Sequence, residues 1–94
     1  MFTIEKTSGN VIRLSGRLDA SQADSARAVL DTITDSTVVD FKDLEYISSA
    51  GLGVLFATQK RLREAGKELT LTSMNAHIRD VFRYARFDVI FRIE

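Results

Sequence analysis

From Thr37 onward the chain keeps switching between two hydrophobic periods, and this switching narrows the choice of fold more than any other feature. Thr37-Val38-Val39-Asp40-Phe41 is a β-branched run too short for a helix, and it reads as a central strand. Leu52, Leu55, Phe56, Gln59 and Leu62 then recur on one helical face, with Lys60, Arg61, Arg63 and Glu64 largely opposite. Gly66 stands where such a helix ends, as a C′ residue. Glu68-Leu69-Thr70-Leu71-Thr72 returns to strict alternation and predicts another strand. Ile78, Val81, Phe82 and Ala85 give a further helical stripe, and Phe91-Arg92-Ile93 a short closing strand.

Before Thr37 the same logic applies. Phe2-Thr3-Ile4-Glu5 and Val11-Ile12-Arg13-Leu14 alternate on either side of Ser8-Gly9-Asn10, which has the composition of a turn, so a hairpin is expected. Gly16-Arg17-Leu18-Asp19 leads into a helix whose face carries Ala23, Ala26, Leu30 and Ile33. Asp19 or Ser21 is its candidate cap, with Gln22 three residues after Asp19 in a capping-box arrangement. Lys42 to Ser48 reads as irregular, with Leu44 and Ile47 turned inward. The predicted order is β-β-α-β-α-β-α-β, an α/β fold in which helices pack on a mixed sheet through right-handed crossovers. At 94 residues the chain has room for one domain, spanning 1–94.

Charge and composition exclude several functions. Thirteen basic residues balance thirteen acidic ones, so no field of one sign draws the chain to nucleic acid or to an anionic membrane. The basic residues interleaved with Phe82, Tyr84 and Phe87 fit a packed amphipathic helix better than a nucleic-acid face. No cysteine is present, which removes disulfides and zinc–thiolate sites and suits a reducing compartment. Neither a signal peptide nor an apolar run long enough to span a bilayer is visible, so the expected location is the cytoplasm. Asp40, Asp43 and Glu45 form the nearest thing to a metal cluster, but strand alternation points some of them apart and no metal site is expected.

Two serines before the strongest helix, Ser48 and Ser49, remain. A catalytic serine needs a base and oxyanion donors. The lone His77 lies in another predicted helix and Gly-x-Ser-x-Gly is absent, so no catalytic residue is assigned. Gly51-Leu52-Gly53 is only a fragment of a phosphate-binding loop, and no cofactor is expected. One serine can serve as an N-cap. The same place tolerates a phosphate, because free N–H groups and the positive end of the helix dipole face it.

The segment Val38-Val39-Asp40-Phe41-Lys42-Asp43-Leu44-Glu45-Tyr46-Ile47-Ser48-Ser49-Ala50-Gly51-Leu52-Gly53 resembles the signature of STAS domains, in particular the bacterial anti-sigma-factor antagonists. Gly16-Arg17-Leu18-Asp19 is similar to that family's Gly-x-Leu/Ile-Asp turn, and the likeness includes Gly66-Lys67-Glu68-Leu69-Thr70-Leu71. The resemblance implies a STAS-like sheet and a partner-switching role without enzymatic activity. The implied partners are an anti-sigma factor that is also a serine kinase and a PP2C-type phosphatase that resets the switch. The implied phosphoacceptor is Ser49, two positions before Gly51, with Ser48 second because it replaces a frequent aspartate by another hydroxyl. The implied contact face is Asp19, Ser48, Ser49, Ala50, Gly51 and Leu52, on a domain that is monomeric when free. Asp19 matches an aspartate near the family's acceptor, and a helix cap is its other reading. The alternative function is a constitutive STAS subunit of a sensory or transport assembly, in which Ser49 only caps its helix.

Overall fold

A computed structural model of the chain describes residues 1–7 and 9–94. Strands β1 (Phe2–Lys6), β2 (Val11–Leu18), β3 (Thr37–Ile47), β4 (Leu69–Thr72) and β5 (Arg92–Ile93) form one sheet in the order β1-β2-β3-β4-β5. β1 and β2 pair antiparallel as the expected hairpin, although Ser8 of the expected turn lies outside the described residues. β3, β4 and β5 each pair parallel to the strand before them. Helices α1 (Ala23–Leu30), α2 (Ser49–Glu64) and α3 (Ala76–Tyr84) fill the three crossovers.

Because the spatial order follows the chain order, right-handed crossovers carry all three helices onto the same face of the sheet. Burial follows this division. Ile12, Leu14, Leu18, Val39, Phe41, Leu69 and Leu71 are buried under the helices. Arg13, Ser15, Val38, Asp40, Thr70 and Thr72, on the opposite face, are half-buried. Phe82 of α3 packs edge-on to Phe41 and Phe91, with ring centroids 5.9 and 5.7 Å away, and so closes the core over β3 and the approach to β5.

The segment Lys42–Ile47 is not irregular: β3 runs through it to Ile47. Its apolar residues Phe41, Leu44 and Ile47 are all buried although they are three apart. The pairing with β2 explains this. Arg13 and Ser15 stand opposite Asp40 and Asp43, and Gly16 and Arg17 opposite Leu44 and Tyr46, so β3 carries one extra residue at each of two bulges. Each bulge adds one residue to the strand period of two, which hides the strand from a periodicity reading.

Gly16-Arg17-Leu18 is the end of β2, from which the chain passes into the helical segment. Gly16 has φ +84°, and a Cβ there would lie 1.6 Å from the Met1 carbonyl oxygen, so only glycine fits. Asp19 caps a short 3-10 turn, Ala20–Gln22, ahead of α1. The expected capping box does not form: Gln22 contributes its backbone N–H to the Asp19 carbonyl, and its side chain caps nothing.

α2 ends as its sequence predicts. Gly66 adopts φ +76°, its N–H donates to the Arg63 carbonyl and that of Lys67 to the Leu62 carbonyl, a complete Schellman motif. On the helix face, Leu52, Leu55, Gln59 and Leu62 are buried, but Phe56 is 39 % exposed and stacks on Phe87 instead of entering the core. The α3 stripe is likewise narrower than its spacing suggests, since Ile78 and Phe82 are buried while Ala85 is exposed. Arg61, on the polar face, donates to the Leu30 and Ile33 carbonyls at 2.9 Å each and so ties α2 to the end of α1.

Gln59 is a buried polar side chain of α2. Its Oε1 accepts from the Leu69 N–H at 2.7 Å and its Nε2 donates to the Ile90 carbonyl at 3.0 Å, fixing α2 to β4 and to the entry of β5. Gln59→Ala strands both backbone groups, so urea unfolding should show a loss of about 2–4 kcal/mol.

Candidate functional site

The site lies where β2 and β3 end side by side. Leu18 pairs with Ile47, and the Ser48 N–H donates to the Leu18 carbonyl at 2.9 Å, after which the chain turns into α2. Ser48 is extended (φ −92°, ψ 172°), and its Oγ accepts from the Gly51 N–H at 3.2 Å. Ser48 is therefore the N-cap.

Ser49 is the first residue of α2 and is exposed, and its hydroxyl makes no hydrogen bond with the described residues. Ala50 is exposed beside it. Gly51 is buried: a Cβ there would stand 2.8 Å from Leu18 Cγ and 2.9 Å from Ile47 Cγ1. The smallness of Gly51 thus serves the seating of α2 on the sheet and not access to the serine. Leu52 is buried as well, at 8 % exposure. Of the expected contact face, Ser49 and Ala50 are open, Ser48 and Asp19 are half-buried, and Gly51 and Leu52 support the others from beneath.

Asp19 follows Leu18 as Ser48 follows Ile47, so the two stand at the same sheet edge. Asp19 Oδ1 accepts from the Ser21 hydroxyl at 2.6 Å and from the Ser21 N–H at 3.1 Å. These donors, above all the hydroxyl, hold its carboxyl below the usual aspartate value, and nearby Arg17 adds to the effect. Asp19 thus caps the turn and stands beside Ser48 at the end of the sheet.

No hydrogen bond joins His77 to Ser49 among the described residues; His77 is exposed in the first turn of α3. Asp40 is drawn to Arg13, 3.4 Å away, on the helix-free face. The described residues contain no group of three potential ligands that could hold a metal ion, and no helix long and apolar enough to cross a membrane. What the sequence reading missed is a pair at this same edge: the Arg17 guanidinium lies over the Tyr46 ring, 4.4 Å from its centroid. Their cross-strand pairing depends on the second bulge, which no local pattern discloses.

A family model described as Mlab, STAS domain matches residues 2–92. The chain belongs to the STAS domain family. Among curated relatives, BtrV of Bordetella bronchiseptica, described as a candidate anti-sigma factor antagonist, is 35 % identical over 97 residues, covering 98 % of this chain and 84 % of BtrV. Solved structures share the fold. A candidate anti-sigma factor antagonist of Thermotoga maritima matches with TM-score 0.82 and 23 % identity, over 98 % of this chain and 84 % of the other. The Bacillus cell fate determinant SpoIIAA in its phosphorylated form matches with TM-score 0.71 and 19 % identity, over 100 % and 91 %. The α/β mixed sheet expected from the resemblance is therefore the fold observed.

The two serines of this STAS domain should separate in stability measurements. Ser48→Ala removes the cap and should cost about 1 kcal/mol in urea unfolding, whereas Ser49→Ala should stay within about 0.5 kcal/mol. For Asp19, Ser21→Ala should raise the carboxyl toward the ordinary aspartate value in an NMR titration. A carboxyl depressed in the folded state stabilises it above the unfolded-state value and loses that contribution as pH falls through the folded one. The variant should therefore lose part of the acid-side slope of stability.

Proposed function

We propose that this protein is an anti-sigma factor antagonist that works by partner switching. With Ser49 unmodified it binds an anti-sigma factor that is also a serine kinase; with Ser49 phosphorylated it is released, and a PP2C-type phosphatase restores the binding form. It acts in the cytoplasm as a binding protein and not as an enzyme.

The observation that carries this reading is the division of labour between the two serines. Ser48 spends its oxygen on the Gly51 N–H, while Ser49 presents an uncommitted hydroxyl to solvent at the same helix start. A kinase needs an accessible acceptor, and the fold needs a cap; two residues meet the two needs. Gly53, one turn beyond Ser49, supports the reading, since it is exposed and a Cβ there would meet nothing within 4 Å. Its smallness serves no packing among the described residues and leaves room for a partner. The relative BtrV carries the same functional description, and the neighbour SpoIIAA is known in a phosphorylated form.

The chemistry of release is electrostatic. Phosphate adds roughly −1.5 to −2 charges and three acceptor oxygens to a surface that met the partner through a neutral hydroxyl. The helix N-terminus accommodates that charge within the fold, so the penalty falls on the interface. Every ~1.4 kcal/mol of it weakens binding tenfold. The constitutive-subunit alternative gives Ser49 only a capping role, a role Ser48 fills.

Incubation with the kinase and ATP, followed by mass spectrometry, should place one phosphate on Ser49. Ser49→Ala should bind the kinase as the native chain does and take up no phosphate. Ser49→Asp should bind roughly tenfold weaker or worse, and binding equal to the native chain would count against the switch.

A further inference from the structure

We propose that Arg17, stacked on Tyr46, is a specificity contact of the same interface, where its guanidinium takes a carboxylate of the anti-sigma kinase. The inference rests on the reading of the Ser49 edge as the partner-binding edge, and it extends that edge to the helix-free face of the sheet.

Backbone register builds the pair. Gly16 stands opposite Leu44, and an unbroken strand would then set Arg17 opposite Glu45, an ordinary cross-strand ion pair. The bulge in β3 passes over Glu45 and puts Tyr46 there instead. Bulges of this kind re-aim side chains at sheet ends and beside functional sites. The β2 side is equally constrained, since Gly16 at φ +84° passes under the Met1 carbonyl, to which the Arg17 N–H donates at 3.1 Å.

The consequence is a cation held in place with its donors unspent. The ring face fixes the guanidinium at 4.4 Å, yet among the described residues the Arg17 side chain donates no hydrogen bond and joins no ion pair. Arg13, Arg27, Arg83 and Arg92 are engaged with carboxylates and Arg61 with carbonyls; Arg63, Arg79 and Arg86 are also unpaired among the described residues, but of these four unpaired arginines Arg17 alone lies over an aromatic ring. Arg17 is exposed, and Tyr46 beneath it is half-buried. A stacked guanidinium loses little further freedom on binding and offers a planar fork that matches a carboxylate. Tyr and Arg are also the residue types that carry binding energy at interfaces.

Position joins the pair to the Ser49 edge. Arg17 and Tyr46 come one residue before Leu18 and Ile47, whose successors in the chain are Asp19 and Ser48. A partner reaching over the end of the sheet meets Ser49 and Ala50 on one side and Arg17 on the other. The two contacts divide the work: the serine side reports phosphorylation, and the arginine side selects an acidic partner surface.

Calorimetric titration of the purified anti-sigma kinase with the full chain tests this. Arg17→Gln should bind at least about tenfold weaker, with a flatter salt dependence, and should keep the native thermal midpoint. Arg17→Lys keeps the charge without the fork and should recover only part of the loss, and Tyr46→Leu should weaken binding in the same direction. Native-like affinity of Arg17→Gln, while Ser49→Asp still weakens binding, overturns the Arg17 contact and leaves the switch standing. No binding by the native chain overturns both.

Discussion

The parallel pairing of β2 with β3 is the constraint on which everything else in this protein depends. It brings Leu18 beside Ile47, and those two side chains form the floor on which the first turn of α2 rests. The contact is close enough to exclude any side chain at Gly51. Once α2 is seated there, Ser48 must bridge strand and helix, with its N–H on the Leu18 carbonyl and its Oγ on the Gly51 N–H. Ser49 is then left on the outside. The exposure of the candidate acceptor is a consequence of core packing, two residues away.

The same pairing organises the distant end of α2. Arg61 satisfies carbonyls at the end of α1, and Gln59 satisfies one group at the start of β4 and one before β5. These polar clamps hold the helix at both flanks, so the position of its N-terminus is fixed by more than the hydrophobic stripe. The proposed switch, which needs one serine presented in a constant geometry, gains from such rigidity. In that proposal the charge of a phosphate on Ser49 acts on the interface and need not move the fold.

Bulges decide how the outer surface is used. The two extra residues of β3 keep Phe41, Leu44 and Ile47 in the core, and as a by-product they rotate Asp43 and Tyr46 onto the open face opposite Ser15 and Arg17. The two bulges thus serve packing on one side of the sheet and set the Arg17–Tyr46 pair on the other. Asp19, whose carboxyl Ser21 keeps below the usual aspartate value, stands at the sheet end beside Ser48.

The sequence by itself determined the succession of elements, the mixed sheet and the end of α2, because each depends on local period or on one residue such as Gly66. It also singled out Ser48 and Ser49, whose place before an apolar helical stripe is a local signal. It misread Lys42–Ile47, since a bulge is defined by the partner strand and lengthens the apolar spacing from two to three. It did not disclose that Asp19 caps a 3-10 turn ahead of α1 or that Gly51 is required by packing, because neither the turn nor the Leu18–Ile47 floor is visible from neighbouring residues. Only the tertiary structure decided which serine caps and which is free. That choice turns on where the Ser48 N–H finds its acceptor, and the acceptor is the carbonyl of Leu18, thirty residues earlier in the chain.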